Sequence, residues 1–157
     1  MNTLGIDYGD KQIGLAIADN TLAIAMPLKS FKEKTMRQDI DYVAAICSEQ
    51  IISKIVIGLP LNMDGSEGER ASKTRSFGNA LSNASGIEVC YKDERLSTAE
   101  AKRGFSAFES FDSQNAKSKP NTKNNNFNNK QKAKNSGELD TASAQIILQS
   151  YLDSFRL

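Results

Sequence analysis

The chain contains no histidine and no tryptophan among its 157 residues, and only two cysteines and three prolines. Without histidine there is no imidazole general base, no histidine-containing triad and no imidazole metal ligand. Any metal must sit on oxygen donors or on the two cysteines. Cys47 and Cys90 are far apart and form no CxxC pair, which reads as two small apolar side chains in a reducing cytoplasm rather than a disulfide. No run approaches the roughly 18 apolar residues that a membrane span needs. The opening MNTLGIDYG has neither a basic stretch nor a cleavable apolar run, so no secretory signal is expected. What is present is a globular composition, 39% hydrophobic and 25% charged. That suits one domain with a real core and is too little for two.

The formal net charge is only +1, which at face value argues against a nucleic-acid partner. The total, however, joins two unlike parts. Residues 113–137 hold six lysines, eight asparagines and no acid, a charge of +6, while the remainder carries 14 basic and 19 acidic side chains, or −5. With Phe127 as its one large apolar residue, this window cannot bury enough surface to offset its ordering entropy. It is expected to be a flexible Asn/Lys-rich insertion within a single domain spanning 1–157. It is either a solvated linker or an electrostatic tether for phosphates.

Periodicity predicts three closely spaced strands, Thr3–Asp7, Gln12–Ala18 and Leu22–Leu28, joined by the turn chemistry of Gly9-Asp10-Lys11 and Asp19-Asn20. Thr35 and Gln38 form a capping-box pair ahead of Ile40, Val43, Ala44, Cys47 and Ile51 at helical spacing. The β-branched run Lys54–Leu59 reads as a buried central strand. Ser66 and Glu69 form a second capping box, opening a helix to about Asn83 with Phe77 and Leu81 inward and Gly86 as its stop. Ile87–Tyr91 is another strand. Ser97 and Glu100 start a helix to about Phe108, and Glu138–Phe155 is the last helix. Hairpin strands followed by helix–strand alternation give an α/β fold, a mixed five-stranded sheet flanked by helices. That is the layout of RNase H-like domains, and also of one half of an actin- or sugar-kinase-type ATPase domain, so topology alone decides little.

Four acids are placed to do chemistry. Asp7 ends the first strand before a glycine turn, which makes it either a turn initiator or a well-held site carboxylate. Asp93 and Glu94 follow a later strand and point to opposite sides, so only one of them faces a given site. Asp140 lies in the first turn of the last helix, where the dipole alone favours an acid. Yet Ala144 and Ile147, one and two turns on, belong to the apolar face, so Asp140 points inward and needs a partner or a metal. Carboxylates of this kind suit Mg²⁺ or Mn²⁺. Two such ions could activate water against a phosphodiester with no protein base. The segment Gly58–Gly68 (GLPLNMDGSEG) leads from a strand into a helix whose first turns carry Arg70, Lys73 and Arg75. This is either a capped loop with solvated charges or a phosphate contact.

Four segments, GIDYGDKQIGLAIAD (5–19), KIVIGLPLNMDGSEG (54–68), DERLSTAEA (93–101) and LDTASAQIILQSYLD (139–153), resemble the YqgF/RuvX family in order and spacing. The resemblance covers nearly the whole chain outside the insertion. It implies an RNase H-like fold and a cytoplasmic metal-dependent nuclease that matures the 5′ end of precursor 16S rRNA. It also leaves open a Holliday-junction resolvase, and a non-catalytic RNA-binding ribosome-assembly factor remains a rival of another class. By the same resemblance Asp7, Glu94 and Asp140 are the catalytic and metal-binding acids, with Asp93 the less favoured alternative to Glu94. Lys11, Arg70 and Arg95 are candidates for phosphate contact. The implied cofactor is Mg²⁺ or Mn²⁺. The implied partners are precursor rRNA or branched DNA, together with ribosomal particles, for a chain that is a monomer or a homodimer. Gln12 departs from the family, which often has a basic residue there, and the 113–137 insertion lengthens a loop that is usually short.

Overall fold

The computed structural model describes residues 1–95 and 127–155, with side chains described for 1–95 and 139–155. The elements run β1 (Asn2–Tyr8), β2 (Ile13–Asp19), β3 (Ala25–Phe31), α1 (Met36–Glu49), β4 (Ile52–Leu59), α2 (Glu69–Ser85), β5 (Val89–Asp93) and α3 (Phe127–Asp153). They build a mixed five-stranded sheet in the order β3-β2-β1-β4-β5. β1 pairs antiparallel with β2 and parallel with β4; β2 and β3 are antiparallel, and β4 and β5 parallel. The sheet class and mixed topology are those expected from the sequence. The helix expected over Ser97–Phe108 lies outside the described residues.

Alternation along the central strands separates two layers. Leu4, Ile6, Ile13, Leu15, Ile55 and Ile57 pack with Val43 and Cys47 of α1 and Phe77 and Leu81 of α2. Ala16, Ala18, Ala25 and Val56 turn the other way and pack against Ala144, Ile147 and Leu148 of α3. α3 also grips the start of β3: Gln145 Nε2 donates to the Ala25 carbonyl at 2.8 Å, and the Ala25 amide donates to Gln149 Oε1 at 2.9 Å.

Several boundaries differ from the sequence reading, each for a local reason. β3 starts three residues later than Leu22, because Asp19 Oδ1 accepts the amides of Thr21 and Leu22 and Ala23 takes a positive φ, which prolongs the turn. Thr35 caps α1 as expected, its hydroxyl accepting from the Gln38 amide. Ile51 falls past the end of that helix, exposed and at φ 52°. Ser66 does not cap α2. The cap is Gly68, while the Ser66 amide and hydroxyl both donate to Asp64 Oδ1 inside the preceding loop. Gly86 ends α2 in the left-handed conformation that glycine adopts without strain. α3 begins at Phe127, well before Glu138, so the C-terminal part of the 113–137 window has helical backbone. After Pro120 its Lys-, Gln- and Ala-containing sequence holds no proline to stop a helix.

Periodicity gave no warning of the fully buried Asp39 on α1. Its Oδ1 accepts the Glu33 amide at 2.9 Å and its Oδ2 pairs with the Lys32 ammonium at 2.9 Å, so the buried charge is compensated.

Candidate active site

The carboxyl ends of β1, β4 and β5 lie at one end of the sheet, and α3 reaches the same end. Asp7 pairs with Gly14 across the β1–β2 ladder. A methyl group on Gly14 would overlap the backbone carbonyl of Asp140. The glycine is therefore what lets the helix lie directly on the strand and brings Asp140 beside Asp7. Farther along, a methyl group on Gly5 would meet Leu148 Cβ at 2.7 Å and the Ala144 carbonyl at 3.0 Å. The close approach thus extends down β1.

Glu94 enters from the other side. Its amide donates to the Leu59 carbonyl at 3.2 Å, continuing the β4–β5 pairing by one residue. Its carboxylate then lies over Gly58, where a methyl group would overlap it and press on Ile147 Cδ1 at 2.6 Å. Ile6 is paired with Ile57, so Gly58 stands beside Asp7 on the neighbouring strand.

The electrostatics record this crowding. Burial, reinforced by the negative charge of Asp140, pushes Asp7 from its ordinary 3.8 up to about 6, against the opposing effects of Arg70 and a hydrogen bond from the Ser143 hydroxyl. Burial, with Asp7 as the next cause, pushes Glu94 from 4.5 up to about 7, and again Arg70 opposes. Asp140 is also raised, by burial. Asp7 is therefore the shared neighbour, coupled to Glu94 on one side and to Asp140 on the other.

The remaining candidates separate cleanly. Asp93 is exposed and turned away, its carboxylate accepting the Arg95 amide at 2.9 Å and Nε at 2.8 Å. Arg95 is held by that pair over Gly65 in the β4–α2 loop. Arg70, in the first turn of α2, acts on both Asp7 and Glu94 and belongs with the carboxylates. Lys11 is exposed on the turn between β1 and β2, which the Gly9 amide closes by donating to the Gln12 carbonyl at 3.0 Å.

Three contributors went unread in the sequence. Ser143 follows Asp140 by three positions, hence on the same side of the helix, a spacing that was available. Gly14 and Gly58 sit inside strand patterns, where glycine signals a close approach.

The donor set is all oxygen, partly desolvated and mutually repelling, which suits a hard divalent cation. Among the described residues no three acids are drawn together closely enough to enclose an ion. A cation held here would keep water or substrate oxygens among its ligands, as Mg²⁺ commonly does.

A profile of the RuvX family, described as Holliday junction resolvase, matches residues 1–123. The chain belongs to the RuvX family. A relative from Anaeromyxobacter sp. (strain Fw109-5), named "Putative pre-16S rRNA nuclease", is 38% identical over 98% of this chain and 97% of its own length. One of the same name from Klebsiella pneumoniae is 33% identical over 96% and 94%. Among solved structures, T. thermophilus RuvC in complex with Holliday junction substrate superposes with a TM-score of 0.56 at 16% identity, over 98% of this chain and 94% of that one. The fowlpox virus resolvase bound to Holliday junction DNA gives 0.56 at 17% over 98% of each. At such identities these two establish a shared fold, and the family membership rests on the sequence matches. No helix among the described residues is long and apolar enough to cross a membrane.

Proposed function

We propose that this RuvX-family chain is a cytoplasmic nuclease, dependent on Mg²⁺ or Mn²⁺, that processes the 5′ end of precursor 16S rRNA. The observation that carries the reading is the placement of Asp7 between Glu94 and Asp140, all three shifted toward protonation by burial. Carboxylates this near one another and partly desolvated are costly unless a cation offsets them. Asp7, flanked by Glu94 and Asp140, would hold that cation together with water or substrate oxygens; when bound, the cation supplies water activation and stabilisation of the leaving oxygen. The chain's own residues do the rest. Ser143 orients the Asp7 carboxylate. Arg70 supplies positive charge beside the acids, where a phosphate must approach. Gly14 and Gly58 leave room for the acids to converge.

The test compares wild type with Asp7→Asn on a precursor rRNA fragment and on a four-way DNA junction, with Mg²⁺, with Mn²⁺ and with EDTA. Cleavage of the precursor that needs the metal and disappears in Asp7→Asn is expected. Full activity in Asp7→Asn sinks the assignment. The family description and the fold shared with RuvC favour a second reading, a junction resolvase. That reading expects paired symmetric cuts on the junction and none on the precursor. RNA binding without cleavage under any metal would instead mark a non-catalytic assembly factor working with ribosomal particles.

A further inference from the structure

At the end of the sheet remote from the carboxylates the molecule exposes large apolar side chains. Leu22, Ile24 and Met26 are 67%, 57% and 61% exposed, and Leu28 is 37% exposed. Met1 and Ile51, 82% and 70% exposed, adjoin them. The Met1 carbonyl accepts the Asn20 amide, and the Ile51 carbonyl accepts the Asn2 amide, each at 3.2 Å. Met26 is paired with Ile17, on the sheet face that carries α1 and α2. Scattered exposed apolar residues are ordinary; four in the segment that leads into and forms one edge strand, with two more along the same end of the sheet, are not.

We propose that this edge is the contact between two copies of the chain, related by a two-fold axis. Charge points to a copy. Residues 20–28, NTLAIAMPL, contain no charged side chain. A surface that meets itself across a two-fold axis must not repel itself, and an uncharged one does not. Within 20–28 the lack of cations also makes this segment unsuited to a nucleic-acid backbone. Area agrees. At roughly 100 Å² of apolar surface apiece the six side chains offer on the order of 600 Å². A stable interface takes about 800 Å² per partner, rim included. Pro27 lies in the middle of this edge strand and removes one amide from it, which discourages strand-to-strand pairing and leaves side-chain packing to make the contact.

The arrangement bears on the chemistry without depending on it. About five residues of extended strand, roughly 17 Å, separate Asn2 from Asp7. With the two-fold axis crossing the strand direction, the two carboxylate sites would face away from each other at opposite ends. Each copy would cut independently, and the pair would not present both sites to one junction centre.

Sedimentation of the full chain at micromolar concentration is expected to give twice the 17.2 kDa chain mass. Ile24→Lys and Ile24→Glu should each weaken self-association at least about 100-fold, since like charges then face each other. Their thermal melts at concentrations where wild type has also dissociated should match wild type. Mixing the two variants should restore a dimer. A monomeric wild type, a dimer that Ile24→Lys leaves intact, or variants that fail to pair when mixed would each overturn the proposal. None of these readouts depends on nuclease activity, so the contact and the proposed function fail separately.

Discussion

The two faces of the sheet are built from different residues for different ends. One face presents Leu4, Ile6, Ile13, Leu15, Ile55 and Ile57 to α1 and α2, with Phe77 wholly buried among them. The other presents Gly5, Gly14, Ala16, Ala18 and Gly58, with α3 pressed close above. Large side chains hold helices at a distance and bury much apolar area. Small ones bury less but let a helix backbone descend onto the strands. The first face mainly supplies stability. The second gives up some of it so that Asp140 and Ser143 can reach Asp7.

That contrast can be broken from either side. The largest effect is expected at the bulky face. Phe77→Ala, which also removes the ring stacked on Tyr8 at 4.3 Å, should cost about 3–5 kcal/mol in chemical denaturation. Cleavage per folded molecule should be nearly unchanged. Gly58→Ala is the converse. Its methyl group would displace the Glu94 carboxylate, the movable end of a side chain. It would also press on the buried Ile147 Cδ1 at 2.6 Å, so stability should fall by about 1–3 kcal/mol, while cleavage should fall about 100-fold.

A third effect concerns pH. Asp7 titrates at about 6 when folded and at 3.8 when unfolded. Between those values the folded protein retains a proton that the unfolded chain has released. Stability therefore falls as pH rises through that window and stays lower above it. In EDTA well above pH 6, Asp7→Asn should raise unfolding free energy by about 2 kcal/mol, discounted for residual solvent contact. Below pH 3.8 the gain should vanish. A variant that is both more stable and inactive would show the small-residue face bearing a cost for function. The smallest effect is expected from Ser143→Ala, about tenfold in cleavage, recoverable with Thr at that position.

The bulky face was the more legible in the sequence. The consecutive β-branched residues in Lys54–Leu59 and the helical spacing of Val43 and Cys47 announce partners of their own kind, and the order of elements followed from them. The small-residue face was harder to read. Gly14 and Gly58 carry no hydrophobic signal, and their meaning depends on a helix that arrives much later in the chain. Choosing Glu94 over Asp93 rested on family resemblance, because adjacent acids after a strand look alike until the Leu59 pairing fixes which one turns inward. Arg70 and Arg95 looked equally good as cations. The Asp93 ion pair holds Arg95, whereas Arg70 acts on Asp7 and Glu94. Asp39 escaped notice because its partners, the Glu33 amide and Lys32, belong to the loop before the helix.

The chain order of these faces has a temporal side. Among the described residues, every strand and both helices of the bulky face lie within 1–95, whereas Asp140 is carried by α3. During synthesis from the N-terminus, the bulky layer can close while the glycine-lined layer has nothing yet to pack against. Asp7 and Glu94 then wait, without their third acid, until α3 has been made. Cutting power would be acquired only once α3 has emerged, not while the strands are being made.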